Sequence, residues 1–137
     1  MFDAINISRD GLNVNKQFLE VTGNNIANIN TTRTSTGGPY KRQAVVLESK
    51  QSFDDYLKQD AGYGVRVKAV VQDSHEKLVY NPEHPDADKE GYVRMPAVEL
   101  AAEMTNMMQA QKGYQASASV LEAVKEVIKK ESEIGRG

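Results

Sequence analysis

Cysteine is absent from the 137 residues of this sequence, which excludes disulfides and thiolate metal sites. Long apolar runs are absent too, since none approaches the roughly 20 residues that a membrane helix requires, and we expect no direct membrane insertion. The net charge of −2 is unlike the basic surface typical of proteins that bind nucleic acid. The stretch MFDAINISRDG lacks a basic leader followed by an apolar core, so we expect no cleaved secretion signal.

Signatures of catalysis and of metal binding are also missing. The only histidines, His75 and His84, are accompanied by Asp86 and Asp88, but the spacing matches no strong ligand pattern. The prolines, acids and glycine around His84 are typical of an exposed loop. No glycine-rich phosphate loop follows a predicted strand, and no nucleophile motif is present. We therefore expect no catalytic residue, no metal site and no cofactor, and a protein that is not an enzyme.

A seven-residue repeat marks the N-terminal segment, residues 1–30. Apolar residues stand at every seventh position, namely Ile5, Leu12, Leu19 and Ile26. A period of seven is the seam of a helix that packs lengthwise on other helices, as in a coiled coil. Alternate seam positions include the polar residues Ser8, Asn15 and Thr22. The pattern predicts a helix from about Ala4 to Ile29.

The C-terminal segment, residues 96–137, carries the same repeat over a greater length. Its seventh-position residues are Leu100, Met107, Tyr114, Leu121 and Ile128, and Met104 fills an alternate seam position. Pro96 suits a first helical turn and Gly135 suits a stop, which predicts a helix of about 35 residues, or roughly 50 Å. Between Met104 and Leu121 the only charged residue is Lys112. A two-helix hairpin explains one buried stripe on each helix but not the lack of charge on the remaining faces.

The middle segment, residues 31–95, has the composition of strands and loops. Valines that alternate with charged residues from Val65 to Val71 predict a half-buried strand. Gln43–Glu48, Lys77–Tyr80 and Gly91–Met95 are further strand-like pieces. The predicted fold class is therefore α+β, mainly α: long N- and C-terminal helices packed as a coiled coil, with a small central β-containing segment.

The asparagines of VTGNNIANINTT (Val21–Thr32) stand out because asparagine is a poor residue for a helix interior. Asn25 and Asn28 either cap their own helix or bind neighbouring subunits. Three classes of protein fit the sequence: a subunit of a helical or tubular assembly, a coiled-coil adaptor with a small β module, and an enzyme without a readable motif. The first is favoured because buried amides fix register and partner identity.

Two motifs resemble the axial proteins of the bacterial flagellum. NIANINTT (Asn25–Thr32) is similar to their N-terminal signature, with Ile26 in place of the usual leucine. KLVYNPEHPDADKEGYVRMP (Lys77–Pro96) is similar to the C-type basal-body rod proteins of the proximal rod, as is the pattern that follows it, consisting of Glu103, Met104, Tyr114 and Ala116. The resemblance covers the whole chain and is weakest from Thr32 to Gly64.

This resemblance implies a structural subunit of the proximal rod, the tubular drive shaft required for motility. A non-catalytic coiled-coil adaptor, or another axial subunit of rod or hook type, is the alternative. The implied partners are copies of the chain, the rod proteins FlgB, FlgF and FlgG, the rod–MS-ring junction protein FliE, and the flagellar type III export apparatus. That apparatus would deliver the subunit, without a cleaved signal, to the rod that spans the periplasm.

In such a rod the terminal helices would form an inner layer around the export channel. The residues that we expect to pack there are Ile5, Leu12, Leu19, Asn25, Ile26, Asn28, Leu100, Met104, Met107, Tyr114, Leu121 and Ile128.

Overall fold

Two long helices and two short β-hairpins make up the fold. The computed structural model describes residues 2–50, 57 and 64–135. In chain order the elements are α1 (Phe2–Ala27), β1 (Arg42–Ser49), β2 (Val65–Asp73), β3 (Glu76–Tyr80), β4 (Tyr92–Pro96) and α2 (Leu100–Ile134). This content confirms the predicted fold class. Within the described ranges, no helix has the length and apolar character needed to cross a membrane.

The helices α1 and α2 pack against each other as an antiparallel pair. At two glycines, a side chain of one helix lies directly against the backbone of the other. A Cβ atom on Gly11 would lie 2.7 Å from Ser117 Oγ, and one on Gly113 would lie 2.6 Å from Asn15 Oδ1. Small and polar side chains on this side of α1 permit the close approach, which explains why the predicted seam is so polar.

The hairpin of β1 and β2 packs on a second side of α1. The two strands pair antiparallel along their full lengths, with one irregularity between Val46 and Leu47. Val14 and Val21 are buried where α1 meets this hairpin. The helix α1 is therefore the central element, with α2 on one side and the hairpin on another.

The hairpin of β3 and β4 leads into α2. All of β3 is exposed, whereas Val93 and Pro96 of β4 are buried. The prediction that Pro96 begins the C-terminal helix is wrong, because it ends β4 and the helix begins at Leu100. Proline has no N–H to donate, and it is tolerated at a strand end where the ladder needs no donor from it. The helix itself has 35 residues, which is the predicted length.

Candidate functional site

Asn25 lies at the centre of a buried polar junction that joins α1, the start of β1 and α2. The residue is 1% exposed. Its Nδ2 donates to the Gln43 carbonyl oxygen at 2.8 Å and to Glu103 Oε2 at 3.1 Å. Its Oδ1 accepts hydrogen bonds from the Gln43 backbone N–H at 2.9 Å and from the Tyr40 hydroxyl at 3.0 Å. The amide therefore has both donors and both acceptor positions filled inside the chain.

Glu103 brings a negative charge into this junction from α2. The residue is buried, and Arg42 Nε donates to its Oε1 at 2.6 Å. The junction thus contains a paired charge, and a paired carboxylate is far less costly to bury than an isolated one. Burial, followed by the nearby Glu103 charge, raises the pKa of Tyr40. The Tyr40 hydroxyl therefore stays protonated and available as a donor to Asn25.

Asn25 binds β1 as a neighbouring strand would. It donates to the carbonyl group and accepts from the N–H group of the same residue, Gln43, which is the two-bond pattern of a paired strand residue. The sequence leaves two roles open for Asn25, a helix cap or a contact with a neighbouring subunit. The structure instead uses this amide to join three elements of one chain.

Asn28 has a local role at the end of α1. Its Nδ2 donates to the Asn24 carbonyl oxygen at 2.9 Å, and its Oδ1 accepts from the Thr31 hydroxyl at 3.1 Å. Both partners lie within four residues of it along the chain. Because that carbonyl oxygen also accepts the Asn28 backbone N–H at 3.1 Å, the Asn28 side chain adds a second hydrogen bond at its own helix end, which is a local contact of the capping kind predicted for these asparagines.

Sequence reasoning misses Tyr40, Arg42 and the Gln43 backbone as members of this junction. Sequence reasoning names Glu103 only as part of the family pattern. Its position just before a long stretch of helix with few charges could have marked it as a buried acid. Arg42 and Glu103 are 61 positions apart. The spacing of apolar residues predicts single helices and strands, but it does not predict which charged residues of distant elements come into contact.

An open groove of about 300 Å³ runs beside the junction, between α1, β1 and α2. Its walls carry neutral amides, among them Asn15, Asn106 and Gln109. Of the described residues that line it, only Arg42 and Glu103 are charged, and they pair with each other. The groove is therefore suited to packing and hydrogen bonding rather than to acid–base chemistry.

A second polar contact holds the far end of the β1–β2 hairpin on α1. Lys50 Nζ lies 2.6 Å from Oδ1 of the buried Asp10, and the Lys50 N–H donates to the Gly64 carbonyl oxygen at 3.1 Å. Gly64 has a φ of +95°, and a Cβ atom there would come within 2.6 Å of Asp10 Oδ2. Position 64 therefore favours glycine both for its backbone conformation and for the room it leaves to the carboxylate.

Asp86, one of the acids beside His84, binds the segment that follows α1. It accepts a hydrogen bond from Thr32 Oγ1 at 2.7 Å and another from the Arg33 guanidinium. The hydrogen bond from Thr32, and then that from Arg33, lowers the pKa of Asp86. The carboxylate thus ties the loop between β3 and β4 to the connection between α1 and β1.

The other candidate metal ligands also have structural partners. Asp88 Oδ1 accepts the backbone N–H groups of Glu90 and Tyr92, both at 2.9 Å, and so closes the turn before β4. His75 contacts Asp73 at the turn between β2 and β3. Among the residues that the structure describes, no three His, Cys, Asp or Glu side chains converge as a metal site would require.

The apolar residues of the two predicted seams divide between half-buried and exposed positions. Those on α1 are half-buried, namely Ile5, Leu12, Leu19 and Ile26. Those on α2 are half-buried at Met107, Leu121 and Ile128 and exposed at Leu100, Met104 and Tyr114. A Cβ atom on Gly23 would lie 3.9 Å from Met107 Cε. Met107 therefore faces α1 of its own chain.

Comparison with known proteins identifies relatives at both ends and along the full length. The model of the flagella basal body rod protein family matches residues 5–33, and that of the flagellar basal body rod FlgEFG protein C-terminal family matches residues 89–134. The flagellar basal-body rod protein FlgC of Borreliella burgdorferi is 37% identical, over 94% of this chain and 93% of its own length. The FlgC proteins of Bacillus subtilis and Salmonella typhimurium are each 34% identical, over 98% and 99% of this chain and 98% of their own lengths.

The two matched ranges contain most of α1 and all of α2, together with Asn25 and Glu103 of the polar junction. The middle segment is covered by the full-length relatives. The chain therefore belongs to the FlgC family of flagellar basal-body rod proteins, and it is a structural rod subunit rather than an enzyme.

Proposed function

We propose that the chain assembles into the proximal rod through the outward-facing sides of α1 and α2, which pack on copies of the chain and on neighbouring rod subunits. Membership of the rod family places the chain in the flagellar basal body, where it assembles with other rod proteins. The polar junction and the two glycine contacts hold α1 and α2 in one register within the subunit. A pair of helices held in this way presents its free sides as one surface.

The apolar surface of α2 carries this proposal. Leu100, Met104 and Met108 are 47%, 53% and 55% exposed and follow each other at four-residue intervals, so they share one side of the helix. A second exposed stripe has seven-residue spacing and consists of Val120, Val127 and Ile134. The solvated side of a helix normally carries charged and polar residues. Apolar residues on more than one free side support packing against several neighbours.

The length of α2 supports the same proposal. The register set by the glycine contacts places Phe2 opposite Glu126. Residues 127–134 then have no described part of α1 opposite them, and at 1.5 Å per residue they extend about 12 Å. Val127 and Ile134 are exposed in this extension. A helix end with apolar side chains and no partner in its own chain is suited to contact with another subunit.

The finer assignments rest on the family resemblance. In the proximal rod the terminal helices would form the inner layer around the export channel, with the β-hairpins outside it. The neighbours would be FlgB, FlgF and FlgG, with FliE at the junction to the MS ring. The type III export apparatus would deliver the subunit without a cleaved signal.

Met104 provides the test, because it is exposed in the free chain and is proposed to be covered in the rod. We expect Met104→Asp to leave the thermal midpoint of the purified chain unchanged. It should nevertheless abolish rods and motility when it replaces the native subunit in a flagellated host, because an unpaired charge in a packed layer is costly. Motility in soft agar and electron microscopy of isolated basal bodies measure the two outcomes.

Lys112→Asp is the matched control on the same helix. Position 112 already bears a charge and is exposed, so we expect most motility to be retained. Normal rods with Met104→Asp, or equal loss with both variants, would show that the Met104 side of α2 does not face a neighbour. Met107→Asp does not serve this purpose, because Met107 faces α1 and its replacement would destabilise the free chain as well.

A further inference from the structure

Two methionines are exposed on a free side of α2. Met104 and Met108 are 53% and 55% exposed, and their four-residue spacing places them on one side of the helix. The other two methionines among the described residues, Met95 on β4 and Met107 on α2, are half-buried. Met107 faces α1 of its own chain. The fold therefore leaves two thioether side chains more open to solvent than the other two.

Exposed thioethers of this kind react with peroxides. Hydrogen peroxide transfers one oxygen atom to the sulfur: the O–O bond breaks, an S=O bond forms and water leaves. The sulfur is oxidised by two electrons, and the peroxide is reduced by two. The product, methionine sulfoxide, is polar where the thioether is apolar, and reductases convert it back. Because access to the sulfur governs the reaction, the first sulfoxides of the free chain should form at Met104 and Met108.

We propose that Met104 and Met108 are a modification site for peroxide, and that their sulfoxides keep the folded subunit out of the rod. This proposal rests on the proposed function, in which a neighbouring subunit covers this side of α2. In the free chain the added oxygen is hydrated, so the fold loses little. In a packed layer the same oxygen needs a hydrogen-bond donor, and a buried polar group without a partner is costly.

The position of Met107 makes this consequence specific to assembly. A sulfoxide at Met107 would place a polar oxygen between α1 and α2 and would weaken the fold itself. Met104 and Met108 lie toward solvent, so their oxidation changes the outer surface of the helix pair. Oxidation at these two positions should therefore block assembly, whereas oxidation at Met107 should damage the subunit.

Oxidation of the purified chain tests the selectivity of the site. The chain is treated with hydrogen peroxide, and peptide mass spectrometry follows the sulfoxide at each position over time. We expect several-fold faster oxidation of Met104 and Met108 than of Met107 and Met95. The thermal midpoint should stay unchanged while only the first two are converted. Equal rates at the four positions, or a midpoint that falls with the first two conversions, would overturn the proposal.

The same treatment of isolated basal bodies tests the surface on which the proposal rests. We expect several-fold slower oxidation of Met104 and Met108 in rods than in the free chain, because a neighbouring subunit covers them there. Oxidation as fast as in the free chain would contradict the proposed function, since this side of α2 would then be open in the rod. Basal bodies without the chain would contradict it as well.

Glutamine variants test whether a polar group at these positions excludes the subunit. Glutamine is similar in length to methionine sulfoxide and also carries a polar oxygen near its end, so the double variant Met104→Gln, Met108→Gln imitates the oxidised state without peroxide. We expect loss of rods and motility when it replaces the native subunit, with an unchanged thermal midpoint of the purified chain. Lys112→Gln is the matched control, because it adds the same side chain at an exposed position of α2 outside the methionine pair. It should retain most motility.

The outcomes separate the oxidation site from the proposed function. Normal rods with the double glutamine variant, together with slow oxidation of native rods, would overturn the site and leave the covered surface intact. Equal loss of motility with Lys112→Gln would also overturn the site, because the effect would not belong to the methionine pair. Loss of rods with the double variant alone, combined with slow oxidation of native rods, is the result that we expect.

Discussion

Replacing Asn25 with leucine removes four hydrogen bonds from the polar junction. Tyr40 is only half-buried, so its hydroxyl is able to turn toward water, and Glu103 keeps its bond to Arg42. The N–H and C=O groups of Gln43 have no such alternative, because they face α1 and lose both of their partner atoms. The free energy of unfolding should therefore fall mainly through these two backbone groups.

The magnitude follows from the number of groups left unpaired. One buried polar group without a partner costs about 1–3 kcal/mol. Two such groups would cost about 2–6 kcal/mol, and we expect about 2–4 kcal/mol because the adjoining groove admits water. Asn28→Leu is the matched control in the same sequence motif. It removes two bonds at an accessible helix end, and we expect a loss of about 1 kcal/mol or less.

Urea unfolding of the purified chains, followed by circular dichroism, measures both losses. We expect a lower midpoint for Asn25→Leu than for Asn28→Leu, with similar dependence of the free energy on urea concentration. Equal losses in the two variants would refute the distinction between a junction residue and a local cap. No loss with Asn25→Leu would show that the junction does not form in the free chain.

Two further predictions concern helix packing and pH. Gly113→Ala would place a Cβ atom 2.6 Å from Asn15 Oδ1, and we expect a loss of about 1–3 kcal/mol in thermal unfolding, while Ala116→Ser at an exposed position should change little. Because the pKa of Asp86 is lowered in the folded state, its bond from Thr32 stabilises the fold fully above the unfolded carboxyl pKa of about 3.9 and is lost as pH falls through the lower folded pKa. Titration by NMR should show this transition near Thr32 in the native chain and none in Asp86→Asn.

Local patterns predict the elements of this fold well. The seven-residue repeat that begins at Ile5 predicts α1 within about two residues at each end, and the alternation from Val65 predicts β2. These signals succeed because each helix or strand must bury one side, and the spacing of apolar residues records which side. Pro96 shows the limit, since proline fits both a strand end and a first helical turn, and only the surrounding packing decides between them.

The polar junction lies beyond such patterns. Asn25 is unusual enough in a helix to be noticed, but its partners come from β1 and α2, at distances of up to 78 positions along the chain. Whether an amide caps a helix, meets a neighbour or pairs with a strand depends on what the fold brings to it. The same holds for contacts between subunits. The sequence shows that exposed seam residues such as Met104 are apolar, but it does not identify the surface that is proposed to cover them.

Two contacts hold β1 on α1, that of Asn25 with Gln43 and that of Asp10 with Lys50. They require the helix and the strand to span the same distance between them. From Asn25 back to Asp10 the helix advances about 22 Å at 1.5 Å per residue, and from Gln43 to Lys50 the strand advances about 23 Å at 3.3 Å per residue. One residue inserted into either interval would break this agreement, and in β1 it would also turn every later side chain to the opposite face. The alignment with the Bacillus subtilis relative spans 147 positions, more than the 137 residues of this chain, so that relative contains residues that this chain lacks. We therefore expect family members to gain or lose residues outside these two intervals, for example between Lys50 and Gly64. Such changes alter the length of the subunit and leave the packing of β1 on α1 unchanged.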